Sequence, residues 1–140
     1  MPRKTDASNP ADWIFIAESD LGAIDSLVRQ ELGYAMCRSK LAEVLEKTLK
    51  AELIRLGWPL EKTHELAKLG QELQARGSDL AALVRPLCMA FAQSYFVSRY
   101  PGFDLEDADW PDLRQKLSEI TALLATVKAR LPVKHATPPP

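Results

Sequence analysis

Residues 110–131 read WPDLRQKLSEITALLATVKARL, and their apolar positions decide the fold class. Leu113, Leu117, Ile120, Leu124, Val127 and Leu131 step by 4-3-4-3-4, the spacing that holds side chains on one face of an α-helix. The helix is expected to start near Asp109-Trp110-Pro111. Pro111 fits the first turn, where its missing N–H is not needed, and Pro132 stops the pattern. A half-buried strand would need strict alternation. The chain has no sustained alternation and no Asn-Gly or Asp-Gly hairpin pair.

The same punctuation recurs upstream. Asn9 and Pro10 open a first helix that runs to about Leu32, with Gly33 expected just past its end. A second helix is expected from about Tyr34 to Leu56, stopping at Gly57-Trp58-Pro59. A shorter third begins near Thr63 and ends at Gly77. Ser78 caps a fourth that runs to about Tyr100, kinked or split at Pro86, which removes a backbone bond and crowds the preceding turn. The reading is all-α, about five helices in one domain over 9–131. The first eight residues and the Pro-rich tail, 132–140, are expected to be disordered.

Composition narrows the function classes. Lys and Arg total 18 against 19 Asp and Glu, a net charge of −1, which argues against a broad nucleic-acid coat or a polybasic membrane binder. Cys37 and Cys88 have no CxxC spacing, so they read as small core residues of a reducing compartment. No run approaches the ~18 apolar residues of a membrane helix, and no signal peptide is visible, so a cytoplasmic location is expected. The two histidines, His64 and His135, are far apart and the acids follow no ligand spacing; no metal and no cofactor is expected. No Gly-rich phosphate loop and no Ser/His/Asp motif is present.

Some polar residues interrupt apolar faces. On a helical projection Asp20 falls within the stripe of Trp13, Ala17, Ile24, Leu27 and Val28. Arg38 shares the side of Leu45 and Leu49, and Arg99 lies one turn beyond Tyr95. Asp20, Arg38 and Arg99 therefore form a candidate polar cluster between helices. It is either an ion pair that fixes register or an anion site with guanidiniums placed for phosphate. Lys40, Glu43, Glu46, Lys47 and Lys50 gather on the opposite side of the second helix. They read first as a solvated face with pairs Glu43–Lys47 and Glu46–Lys50. The fourth helix is apolar on two sides. Leu80, Val84, Leu87, Phe91 and Tyr95 mark one; Met89, Ala92 and Phe96 mark the other. This is the pattern of a central helix or an interface, with Met89 and Phe96 as interface candidates.

At these residues the chain resembles the HEPN family of prokaryotic helical domains. The blocks stand in family order: Trp13 with Ala17-Glu18-Ser19-Asp20-Leu21; Glu46-Lys47-Thr48-Leu49-Lys50-Ala51; Lys62-Thr63-His64-Glu65-Leu66; and Tyr95 followed by Ser98-Arg99-Tyr100-Pro101. The resemblance implies an up-and-down helical bundle, usually a homodimer. It also implies a minimal nucleotidyltransferase as possible partner in a toxin–antitoxin pair, or a metal-independent ribonuclease using an Arg-x4–6-His motif.

The chain departs from that ribonuclease motif. Only Arg130 and His135 have the spacing, and Pro132 breaks the helix between them. The catalytic residues are left unassigned. The leading expectation is a non-catalytic module binding nucleotide, nucleic-acid phosphate or a nucleotidyltransferase. Asp20, Arg38, Lys47, Lys50, His64, Tyr95 and Arg99 are the candidate contacts. The alternative is a divergent ribonuclease with Arg99 on the phosphate and His64 as acid or base.

Overall fold

The computed structural model describes residues 4–92, 101–102 and 107–132. Among them five helices and no strand are found: α1 (Pro10–Arg29), α2 (Tyr34–Arg55), α3 (Leu66–Ala75), α4 (Ala81–Phe91) and α5 (Trp110–Arg130). The all-α expectation holds. The sequence candidates Tyr95, Phe96 and Arg99 lie outside the described residues.

Local chemistry sets most helix ends. Asn9 Oδ1 accepts from the Ala11 amide at 3.0 Å, and Pro10 occupies the first turn of α1. Asp109 does the same for α5, accepting from the Asp112 amide at 3.1 Å. Helices α1, α2 and α3 all end in one motif, in which a left-handed residue turns two amides back onto the last carbonyls. In α2 the left-handed residue is Gly57 and the bonds are Gly57 to Ile54 and Trp58 to Leu53. In α3 it is Gly77, bonding to Gln74, with Ser78 bonding to Leu73. In α1 the residue is Glu31, at φ 54°, not the expected Gly33. Gly33 instead sits at φ 66° as the residue before α2, two residues beyond the left-handed position that ends α1.

Two other boundaries shift. The third helix starts at Leu66 rather than near Thr63, because Thr63 Oγ accepts from the Glu65 amide and makes a local turn instead of a cap. The fourth runs unbroken from Ala81 through Pro86 to Phe91. Pro86 cannot donate to the Ala82 carbonyl, but both residues are exposed, so water can serve that oxygen.

Ion pairs along the helices give their directions. Trp13 meets Lys50 and Asp20 meets Lys47, so α1 and α2 are antiparallel. Arg38 meets Asp112 and Glu52 meets Arg130, so α2 and α5 run parallel. Arg38 also reaches the Ala90 carbonyl, and Arg130 links Glu52 to Asp79 just before α4, so α4 is antiparallel to α2. Thus α1, α2, α4 and α5 alternate up and down. Short α3 descends beside α4 after residues 57–65 carry the chain back along α2.

The centre of this bundle is α2, not the fourth helix. It packs against all four other helices, and Leu41, Leu45, Leu49 and Leu53 are fully buried. Cutting any of them to Ala would cost about 2–5 kcal/mol. The α5 stripe that opened the reading is buried throughout, from Leu113 to Leu131. Helix α4 buries Val84, Leu87, Cys88 and Phe91, while Met89 on its other side is 72% exposed.

Candidate functional site

The Glu46–Ala51 segment lies on α2 where α1 and the 57–65 segment both cover it. Glu46 and Lys50 are one turn apart and therefore stack on one side of α2, while Lys47 points round toward α1. Lys50 Nζ lies 3.0 Å from Glu46 Oε2, and the Lys50 side chain is only 4% exposed. Its ammonium sits 5.2 Å from the centre of the Trp13 ring, which screens it from water. Trp13 is held in turn: its Nε1 donates to the Ala7 carbonyl at 2.8 Å, and the Asp6 amide donates to Asp12 Oδ2 at 2.8 Å.

On the other side of Glu46 stands His64. Its Nδ1 is 3.1 Å from Oε1 and 3.3 Å from Oε2 of the same carboxylate. One chain of contacts thus runs from the N-terminal turn through Trp13, Lys50 and Glu46 to His64. Its inner members are buried, and the His64 side chain is 55% exposed. Beside it Glu43, Glu46, His64, Leu66 and Phe91 line a cavity of about 10 Å³, room for one water at most.

The other basic candidates are matched by acids. Lys47 Nζ is 3.1 Å from Asp20 Oδ2, so Asp20 lies at the edge of the α1–α2 seam rather than in the middle of the core. Arg38 Nη2 donates to the Ala90 carbonyl at 2.8 Å. Its Nη1 lies 3.6 Å from Asp112, and its plane covers Phe91 at 4.8 Å. Arg38 is therefore a clamp between α2, α4 and α5. The expected cluster of Asp20 with Arg38 does not form. The charged side of the second helix is solvated only at Lys40: the pair Glu46–Lys50 exists but is buried, and the half-buried Glu43 pairs with Lys40 at 2.9 Å, not with Lys47.

Sequence reasoning passed over a second polar knot. Glu52, fully buried on α2, is held by Arg55 through Nε at 3.0 Å and faces Arg130 Nη1 at 3.6 Å. Arg130 also grips Asp79 with both nitrogens, at 2.7 and 2.6 Å. These hydrogen bonds hold the Asp79 carboxyl below its usual range and push the Arg130 guanidinium up. The spacing could have shown Glu52, which follows Leu45 by two turns and Leu49 by one. Cys37 and Cys88 are buried free thiols, and burial pushes Cys88 up to about 11. Among the described residues no cluster of three or more metal-ligating groups occurs, and no helix is long and apolar enough to cross a membrane.

Fold and site together define an all-helical domain with a lysine–glutamate–histidine chain on its central helix. The family model described as HEPN domain matches residues 10–131, and the chain belongs to the HEPN domain family. No curated protein and no solved structure gave a match.

Proposed function

We propose that this HEPN domain is a non-catalytic binding module that engages a protein partner, of minimal-nucleotidyltransferase type, and acts as a homodimer in the cytoplasm. One observation carries the reading. The described basic residues expected to contact phosphate are already matched: Lys47 by Asp20, Lys50 by Glu46, and Arg38 by Asp112. A phosphate would have to displace a carboxylate from each, so direct nucleotide affinity is low and a protein surface is the better ligand. The groove between α3 and α4 offers such a surface. Ala67, Gly70, Ala81, Cys88 and Met89 line it, with Arg85 at its side.

The ribonuclease alternative draws on the dyad of His64 and Glu46, since a carboxylate on Nδ1 is what orients a catalytic imidazole. Against it, the arginine of the one motif-spaced pair, Arg130, is committed to Asp79 and Glu52.

The test has two arms. The neighbouring gene is read for a short nucleotidyltransferase, and its product is co-purified with this chain. RNA is incubated with the purified chain in chelator, beside His64→Ala. Co-elution without cleavage is the expected result. Cleavage in chelator that disappears in His64→Ala, with no co-elution, would overturn the reading in favour of the enzyme.

A further inference from the structure

Helices α3 and α4 are antiparallel, joined through residues 76–80, and leave a groove of about 520 Å³ between them. Its lining is sorted along the axis. Gly70 faces Cys88, since a Cβ added at Gly70 would lie 3.6 Å from the Cys88 sulfur. Toward the start of α3 and the end of α4 the lining is apolar, with Ala67, Met89 and Ala92. Toward the opposite end it is polar, with Gln74 and Arg85. No acidic residue lines the groove.

The charge at the polar end is unmatched. Arg29, Arg38, Arg55, Arg76, Arg114 and Arg130 each have a carboxylate within 3.7 Å. Arg85 is exposed and has none among the described residues. A guanidinium takes a carboxylate through two parallel hydrogen bonds, so a free one beside an apolar groove is placed for an acid from outside. The glycine at 70 points the same way. Glycine in mid-helix costs stability, and an alanine there would make only ordinary contact with Cys88. Internal packing does not require it; the missing methyl deepens the groove between its two halves.

We infer that the α3–α4 groove receives a helix of the partner protein, apolar on one side and carrying an acidic residue about one turn from its main apolar anchor, and that this acid pairs with Arg85. Along α4 the groove runs from Ala81 to Ala92, about 16 Å or three turns, which fits a short amphipathic helix laid along it. The apolar anchor enters over Gly70 and Cys88. Met89, 72% exposed, is unbranched and polarisable, and it closes over that anchor. Arg85 stands one turn from Cys88 and Met89, and this distance sets the spacing of the acid on the docked helix. The inference rests on the protein-partner reading above and adds the surface recognised and the chemistry of the segment that recognises it.

Fluorescence anisotropy with three labelled helical peptides of about 16 residues tests it. Each is alanine-rich with a leucine stripe, and the position one turn from the central leucine is Glu, Gln or Lys. The full wild-type chain is expected to bind the Glu peptide about tenfold more tightly than the Lys peptide at low salt. Arg85→Glu is expected to invert that order, with helix content by circular dichroism unchanged. Gly70→Leu fills the groove and is expected to lose all three peptides. Met89→Glu, at an exposed position, is a second variant expected to weaken the Glu peptide should Gly70→Leu misfold. Equal affinity for the three peptides, an order that Arg85→Glu leaves unchanged, or binding of none of them overturns the inference. Co-elution separates it from the reading it rests on. A nucleotidyltransferase complex that persists in both Arg85→Glu and Met89→Glu overturns the groove and leaves the partner reading standing. A wild type that holds the Glu peptide through Arg85 but no nucleotidyltransferase overturns that partner and supports the groove.

Discussion

Lys47 Nζ and Asp20 Oδ2 lie 3.1 Å apart across the α1–α2 seam, 27 residues distant in sequence. That contact turns a lysine expected to reach phosphate into half of an ion pair.

Removing its partner should reverse the situation. In Asp20→Asn, Lys47 keeps its position and loses its carboxylate. Affinity for a fluorescein-labelled RNA oligonucleotide, followed by anisotropy, should rise several-fold at low salt and fall back as salt is added. Unchanged affinity, or tight binding already in the wild type, would contradict the idea that the site is occupied by its own acids.

The Glu46–Lys50 pair is buried, so breaking one side strands the other. Glu46→Ala should cost about 3–5 kcal/mol, because it leaves the Lys50 ammonium without its counter-charge under Trp13. Replacing both with apolar residues, Glu46→Leu with Lys50→Met, should recover much of that loss. Urea unfolding of the three proteins measures it. A Glu46→Ala protein as stable as the wild type would mean that the pair is hydrated in solution.

Asp79 titrates below an ordinary aspartate because Arg130 holds its ionised form. A lowered folded value means that the pair adds stability above the unfolded pKa of ~3.9, and that this is lost as pH falls through the folded value. Thermal melts of the wild type and Asp79→Asn should therefore differ slightly at neutral pH and converge at strongly acid pH. The difference is small because the carboxylate is exposed. A gap that widens on acidification would refute the sign.

Cys88 has its thiol raised to about 11 by burial. At pH 8 its thiolate fraction is roughly 100-fold below that of an ordinary thiol near 9. Iodoacetamide should modify it slowly in the native protein and quickly in urea, as mass spectrometry of the Cys88 peptide would report. Rapid native alkylation would show that the α3–α4 groove opens.

How much of this was legible in the sequence depends on which question each pattern answers. Periodicity answers which side of a helix is apolar, and the α5 stripe and the α2 leucines were read correctly for that reason. Glycine and proline answer where helices stop, and Gly57 and Gly77 do so. The end of α1 escaped because Glu31, a residue that seldom adopts positive φ, takes the place a glycine usually holds. A helical projection says nothing of axial register. Asp20 and Arg38 share an inward direction, yet Asp20 lies beside Lys47, nine residues or about 13 Å further along α2 than Arg38. Nor does it say what covers a charged side. Trp13 and His64 come from outside α2, and they convert the charged side of α2 from a surface into an interior. The i,i+4 spacing gave the Glu46–Lys50 pair, but pairs between separate segments, Lys47 with Asp20 and His64 with Glu46, leave no trace in spacing.

The N-terminal turn has a consequence for where the folding unit begins. The family match starts at residue 10, but the carbonyl that Trp13 donates to belongs to Ala7, and the amide on Asp12 belongs to Asp6. A chain shortened to the matched segment would keep every helix and lose the latch that holds the indole over Lys50. Water would then reach an ammonium at the centre of the bundle. The smallest self-sufficient piece of this protein is therefore several residues longer than its homology boundary.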